Sequence, residues 1–314
     1  MNSIELYNIT KTYSTKKNKV TAVDDVSFSV DEGELFGLIG PDGAGKTSLF
    51  RILTTLLLAD KGNAKVSGFD VVKEWKSIRD IIGYMPGRFS LYQDLTVEEN
   101  LNFFATIFNT TITENYNLVA DIYNQLEPFK TRRAGKLSGG MKQKLALSCA
   151  LIHKPKVLFL DEPTTGVDPV SRKEFWQMLK KLKAQGISIL VSTPYMDEAI
   201  MCDRIALMQT GKILEINTPK KIVDGFDGEL LSVKAKSMFN LLTDLRNYPK
   251  TISCYAFGES LHLLLDNTNQ DLNELKSYLN NHNGLVIEKI NPGIEDRFMQ
   301  LMRAHPNPSL REGL

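Results

Sequence analysis

An α/β core followed by a smaller α+β unit is what the 314-residue sequence predicts. Three observations carry that expectation. Short β-branched runs alternate with longer stretches of helical period up to about residue 220. The runs at 157–160 and 187–192 are apolar without alternation, as in parallel strands covered on both faces. Beyond residue 220 the order changes to strand, helix, strand, strand, helix, strand.

Residues 3–7 and 26–30 read as strands of an antiparallel layer. Residues 34–39 read as a buried strand that runs into a glycine loop, and a helix is expected at 45–57. From about 88 to 150, helical patterns stand without strands between them, at 97–108, 116–126 and 140–152. They predict a helical subdomain inserted between two core strands. In the C-terminal part, strands are expected at 230–235, 251–257, 260–265 and 285–290, and helices at 237–247 and 272–279. A Gly258-Glu259 turn joins the middle two strands. That βαββαβ order is the ferredoxin-like arrangement. A last helix is expected at 294–303, and the proline-containing ending HPNPSLREGL reads as a tail. The predicted domains are 1–220, with its helical part at about 88–150, then 221–304, then the tail at 305–314.

Hydrophobic residues make up 42% and charged residues 24%, an ordinary balance for a globular chain. A net charge of +1 gives no reason to expect nucleic acid or an anionic membrane surface as the main partner. Cys149, Cys202 and Cys254 form no CxxC pair and are expected to be reduced core residues. The start, MNSIELYNIT, lacks the basic and apolar regions of a signal peptide. No apolar run approaches the roughly 18 residues of a membrane helix. The candidate at 52–59 is interrupted by threonines. A membrane span, if one is needed, is expected on another chain.

Three motifs carry chemistry. The first is Gly40-Pro41-Asp42-Gly43-Ala44-Gly45-Lys46-Thr47, a full GxxxxGK[ST] phosphate loop between a strand and a helix, with Ser48 next. Its glycines let several backbone N–H groups point at one phosphate, and the helix adds the positive end of its dipole. The Lys46 ammonium reaches the β and γ phosphates of ATP, and the Thr47 hydroxyl can ligate Mg²⁺. The second is the apolar strand at 157–160, which ends in Asp161 and Glu162. At such a tip Asp161 would position Mg²⁺ and Glu162 would polarise the attacking water. The third is Leu137-Ser138-Gly139-Gly140-Met141, ahead of a helix that carries Lys142, Gln143 and Lys144 and is expected to be amphipathic. A serine and two glycines at a helix start offer a hydroxyl and free N–H groups to an anion.

With these motifs in this order, the chain resembles an ABC-type ATPase with a P-loop NTPase core, over about residues 3–220. More narrowly, it is similar to the ATP-binding subunits of ABC-2-type exporters, the drug-resistance and YbhF-like proteins of bacteria. The C-terminal stretch ending in Pro292-Gly293-Ile294-Glu295-Asp296-Arg297-Phe298 also resembles that subgroup's accessory domain. The resemblance implies a head-to-tail pair of such domains, homo- or heterodimeric, working with a separate ABC-2-type membrane permease. It implies a cytoplasmic protein, peripheral on the inner face of the plasma (inner) membrane. It also implies that Tyr13 stacks on adenine, that Ser138, with Gly139 and Gly140, reaches the γ-phosphate across the interface, and that Asp168 lies in the loop linking the two sites. Translation factors of the superfamily carry two such domains, and DNA-maintenance members carry very long coiled coils. Neither feature is present, nor is a basic stripe.

The sequence departs from the family pattern at two positions of the site. Gly87 follows Gly83-Tyr84-Met85-Pro86 where a glutamine is usual, and Pro194 follows Ser192-Thr193 where a histidine is usual. Neither residue has a side-chain donor or acceptor. His153, His262, His282 and His305 are not placed to substitute. Asp42 and Met141 are smaller departures, from asparagine and glutamine. The expectation is secure ATP binding with slow hydrolysis, or a regulatory nucleotide-binding protein with little turnover.

Overall fold

The computed structural model describes residues 1–14, 19–266 and 272–304. The tail expected at 305–314 lies outside the described residues. The chain divides into two compact units, one built on Met1–Lys220 and one on Lys221–Arg303.

In the first unit, β1 (Asn2–Ser14) and β2 (Lys19–Asp31) pair antiparallel. β3 (Leu35–Ile39) leads through the glycine loop into α1 (Lys46–Leu53). β4 (Lys61–Val66), β5 (Phe69–Asp70), α2 (Trp75–Ile81) and β6 (Ile82–Met85) follow. Three helices come before the next strand: α3 (Val97–Ile107), α4 (Tyr116–Leu126) and α5 (Gly139–Leu151). Then come β7 (Val157–Asp161), α6 (Pro169–Ala184), β8 (Ser188–Thr193), β9 (Arg204–Gln209) and β10 (Lys212–Asn217). The short α7 (Pro219–Asp224) lies at the boundary of the two units.

Two sheets result, ordered β2-β1-β4-β5 and β10-β9-β3-β8-β7-β6. In the second sheet the strands from β9 to β6 run parallel, and β10 turns back antiparallel on β9. Every residue of β3, β7 and β8 is buried, which is why their sequences do not alternate. α1 sends Leu49, Phe50, Ile52 and Leu53 into the core between the sheets. There the Phe50 ring meets Phe159 of β7 edge-on, with centroids 6.1 Å apart.

The structure corrects several expected boundaries. α1 ends at Leu53, not 57. The Thr54 hydroxyl donates to the Phe50 carbonyl, and Thr55 turns the chain at φ +63°. α3 starts at Val97 as expected, where Thr96 and Glu99 form a reciprocal capping box, and ends at Ile107, one residue early. β4, β5, β6, β9 and β10 were not foreseen. In β4 only Ala64 and Val66 face inward, so its sequence gives little apolar signal. α5 is not amphipathic along its length. Leu145 and then the whole of 147–151 are buried, because α3, α4, α6 and β6 pack on different sides of it.

The second unit contains β11 (Leu230–Lys234), α8 (Met238–Asn247), β12 (Thr251–Phe257), β13 (Ser260–Leu265), α9 (Leu272–Tyr278), β14 (Val286–Ile290) and α10 (Ile294–Ala304). Its strands form one antiparallel sheet, ordered β12-β13-β11-β14. Leu241, Leu245 and Leu275 from the helices pack against Leu231, Val233, Leu261, Leu263 and Leu265 of the sheet. In α10, Asp296 is buried and accepts hydrogen bonds from the Tyr255 hydroxyl at 2.5 Å and His262 Nδ1 at 2.6 Å. All three cysteines are free and buried, and burial pushes each thiol above its usual value.

Phe159 is fully buried and supports α1 from below the phosphate loop. Phe159→Ala is expected to destabilise the first unit by about 3–5 kcal/mol. Equilibrium urea unfolding checks this, and an unchanged midpoint would contradict the packing described.

Candidate functional site

The loop between β3 and α1 is shaped by two close backbone approaches. A Cβ on Gly40 would lie 2.1 Å from the Met208 carbonyl oxygen of β9. A Cβ on Gly45 would lie 2.0 Å from the Ala22 carbonyl oxygen of β2, and Gly45 stands at φ +108°. Only glycine fits either place. Within the loop the Ala44 N–H donates to the Pro41 carbonyl, and Gly43 is left-handed and exposed with Asp42. Leu49 N–H closes the first helical bond onto the Gly45 carbonyl at 3.1 Å. Thr47 and Ser48 follow half-buried on the first turn, and the Tyr13 hydroxyl stands 3.2 Å from the Ser48 hydroxyl. Tyr13, near the end of β1, is 40% exposed, with the Lys11 ammonium 6.0 Å from its ring centroid.

Lys46 curls its side chain back over this loop. Its ammonium donates to the Gly40 and Pro41 carbonyls at 2.7 and 2.9 Å and pairs with Glu162 Oε1 at 3.2 Å. The two acids end β7. Asp161 is 2% exposed, and Glu162 turns the chain at φ +51°. Burial, then the negative charge of Asp161, pushes the nearby Tyr84 phenol up to about 12. A Cβ on Gly87 would lie 3.1 Å from the Asp161 carbonyl oxygen and 3.8 Å from Glu162 Cβ. The residue after Met85-Pro86 therefore stands directly against the acid pair.

β8 supplies the remaining wall. Ser192 Oγ donates to Asp161 Oδ1 at 2.6 Å and accepts from the Glu162 N–H at 3.0 Å. The Gly40 N–H donates to the Thr193 carbonyl. Glu198, 3% exposed, accepts from the hydroxyls of Thr164 and Thr193, and the Arg172 guanidinium stands 3.5 Å from it. Arg172 also lies over the Tyr195 ring at 4.2 Å. Pro194 follows β8 on a half-buried bend within this network.

The 138–140 loop belongs to another corner. Ser138 caps α5 by accepting from the Met141 N–H at 3.3 Å. A Cβ on Gly140 would lie 2.7 Å from Ser171 Oγ, so α5 starts hard against α6. Gly139 is exposed and faces the Gly166 carbonyl. Asp168 caps α6 through the Ser171 N–H at 3.0 Å, and that bond holds its carboxyl below the usual range. Among the described residues no hydrogen bond or ion pair joins Ser138, Gly139 or Gly140 to Lys46, Asp161 or Glu162.

The sequence-predicted residues therefore form two groups. Tyr13, the loop from Gly40 to Ser48, Asp161 and Glu162 converge, while Ser138, Gly139, Gly140 and Asp168 gather apart from them. Ser192 and Glu198 went unnoticed in the sequence. A hydroxyl or carboxylate beside an apolar strand gives no pattern, and only the pairing of β7 with β8 brings them in. Among the described residues no group of three or more His, Cys, Asp or Glu is placed to hold a metal ion. A buried carboxylate and a hydroxyl make an all-oxygen donor set suited to Mg²⁺ when phosphate oxygens complete it.

The profile of the ABC transporter family matches residues 23–165. A probable multidrug ABC transporter ATP-binding protein, YbhF of Escherichia coli, is 40% identical over 287 residues, covering 90% of this chain. The chain spans 49% of that relative's length. A Nod factor export ATP-binding protein of Sinorhizobium fredii is 32% identical, covering 95% of this chain and 85% of its own length. Among solved structures, the dimeric post-hydrolysis state of the ATP-binding cassette MJ0796 bound to ADP and Pi superposes with a TM-score of 0.62 at 26% identity. It covers 68% of this chain and 98% of that one.

Gly45→Ala is expected to remove the rise in melting temperature that ATP gives the wild type, because the added methyl group displaces the loop from Ala22. Thermal unfolding with and without ATP measures it, and an undiminished ATP-dependent rise would refute the assignment of the loop's shape to that contact.

Proposed function

The chain belongs to the ABC transporter family of ATP-binding proteins, and from that premise we propose that it is an ATP-binding subunit coupling ATP binding and hydrolysis to export by a separate ABC-2-type membrane permease. The carrying observation is the convergence of the Lys46 loop on Asp161 and Glu162 at the carboxyl ends of β3 and β7. Export is supported by the relative described as a Nod factor export protein, and transport by the one described as a probable multidrug ABC transporter protein.

In this reading the N–H groups of Gly43 to Thr47 and the Lys46 ammonium bind the phosphates, with Gly40, Pro41 and Asp42 shaping the approach, and Tyr13 stacks on adenine. Thr47, with Ser48 beside it, and Asp161 would hold Mg²⁺, which would supply neutralisation of the phosphates' negative charge. Glu162 accepts a proton from the attacking water as the γ-phosphoryl group passes to it. A phosphate that draws the Lys46 ammonium also releases Glu162 from its ion pair. Ser138, Gly139, Gly140 and Asp168 would serve the site of a second ATP-binding subunit in a head-to-tail dimer. Their separation from Lys46 supports that arrangement.

Residues 1–220 would be the nucleotide-binding domain, with the helices of about 88–150 as its inserted subdomain, and 221–304 a ferredoxin-like accessory domain. The antiparallel β12-β13-β11-β14 order supports the last reading. No helix of the described residues is long and apolar enough to cross a membrane, consistent with a span supplied by the permease and a peripheral place on its cytoplasmic side.

Gly87 and Pro194 leave the site without two polar side chains beside the reacting phosphate. Loss of one group that stabilises transition-state charge costs about 10²- to 10³-fold. The chain's own site is therefore slow, and its intact signature loop could complete a faster site on a different subunit. A regulatory protein with little turnover is the second reading, favoured by the same two positions.

The purified chain is expected to hydrolyse ATP slowly and Glu162→Gln not at all. Pro194→His, alone and with Gly87→Gln, is expected to raise turnover by about tenfold or more. A phosphate-release assay measures it. Fast hydrolysis by the unmodified chain would refute the slow-site reading, and a permease that fails to co-purify would favour the regulatory one.

A further inference from the structure

We propose that Ser192 is a positioning residue for both acids of the site, an inference that rests on the proposed ATPase reading. Its hydroxyl is fully buried between the ends of β7 and β8. The oxygen accepts from the Glu162 N–H at 3.0 Å, so its single proton is directed to Asp161 Oδ1, 2.6 Å away. A hydroxyl hydrogen bond to a carboxylate at that distance is of the strong, charge-assisted kind. One side chain thus holds the rotamer of Asp161 and the backbone of Glu162 at once.

Both acids need such a hold. Asp161 Oδ1 is occupied by Ser192, and Oδ2 enters no described hydrogen bond, which leaves Oδ2 as the oxygen available to a cation. Glu162 is a non-glycine residue at φ +51°, a conformation that costs energy and persists only where its surroundings enforce it. The Ser192 carbonyl also accepts from the Glu162 N–H, at 3.1 Å, so backbone pairing alone keeps the strands together when the hydroxyl is removed. The hydroxyl adds direction. Lys46 pairs with the Glu162 carboxylate, and neither Gly87 nor Pro194 offers a polar side chain, so Ser192 is the side chain hydrogen-bonded to both acids.

The role predicts a split that a purely structural residue would not give. Nucleotide affinity is measured on the full chain with a fluorescent ATP analogue, once with EDTA and once with Mg²⁺, together with the hydrolysis rate as a function of Mg²⁺. Ser192→Ala is expected to keep the EDTA affinity within about twofold and to lose most of the gain given by Mg²⁺. The Mg²⁺ concentration for half-maximal hydrolysis should rise about tenfold and kcat fall about 10- to 100-fold, the range found when groups that orient metal ligands are removed. Ser192→Cys keeps a side chain that can donate, slightly larger and more weakly, should fall between the two, and stands in if the alanine variant does not fold. Equal loss of affinity with and without Mg²⁺, or a wild-type Mg²⁺ response in the folded variants, overturns the proposal. A wild type that binds no nucleotide even in EDTA would instead overturn the proposed function, and this inference with it.

Discussion

Lys46 is buried to 3% exposure, in a fold whose strands around it are buried along their whole length. An isolated buried charge is strongly unfavourable, so the structure must surround this one with acceptors. It does so with two carbonyls of the loop itself, Gly40 and Pro41, and with one carboxylate, Glu162. The carbonyls face inward only because the loop curls, and the loop curls only because glycine occupies positions 40 and 45. Glu162 is within reach only because β7 ends level with β3, across β8. The register of the parallel sheet, the glycines and the acid pair are thus parts of one solution to the same charge.

The sheet order does a second thing. Placing β8 between β3 and β7 puts the ends of three strands side by side, and the loop after β6 adjoins them at Gly87. Groups from positions 40, 87, 161 and 192 meet, though sequence separates them widely. Gly40 bonds to Thr193, and Glu162 bonds to Ser192, so the glycine loop and the acid pair are tied to the same strand. The buried Glu198 extends this bracing through Thr164 and Arg172 toward the start of α6, where Ser171 meets Gly140. The two separate groups of site residues are thereby linked through packed polar contacts within one chain.

Much of this was legible in the sequence where local chemistry dictates it. The glycine loop, β3, β7, β8 and the order of elements in the second unit each leave a mark: invariant spacing, a continuous apolar run, or alternation with a turn. The 251–257 and 260–265 strands fall where expected because Gly258-Glu259 sets the turn between them. The misses share a physical cause. β4 carries only two inward apolar residues, β6 has four residues in all, and α5 lost its expected polar face because neighbours cover it on several sides. Ser192 and Glu198 gain meaning only from strand pairing, which no single stretch of sequence encodes. The Tyr255, His262 and Asp296 cluster of the second unit was missed likewise, since register and α10 bring it together.

Binding and turnover depend on different kinds of constraint, and this explains how they can separate in one chain. The phosphate loop is held by backbone approaches of about 2 Å from a would-be Cβ to Met208 and Ala22, so almost any substitution at Gly40 or Gly45 disturbs the fold itself. Positions 87 and 194 are different. A Cβ on Gly87 would meet the Asp161 carbonyl oxygen at 3.1 Å, a tight contact relieved only if a neighbour gives by a few tenths of an ångström, and Pro194 is half-buried on a bend. Gly87 is less tightly confined than Gly40 or Gly45. Polar groups there can be lost without loss of the loop, the acid pair or the Ser192 hydroxyl between them. A chain under such constraints retains the geometry that recognises a nucleotide more readily than the geometry that speeds its hydrolysis.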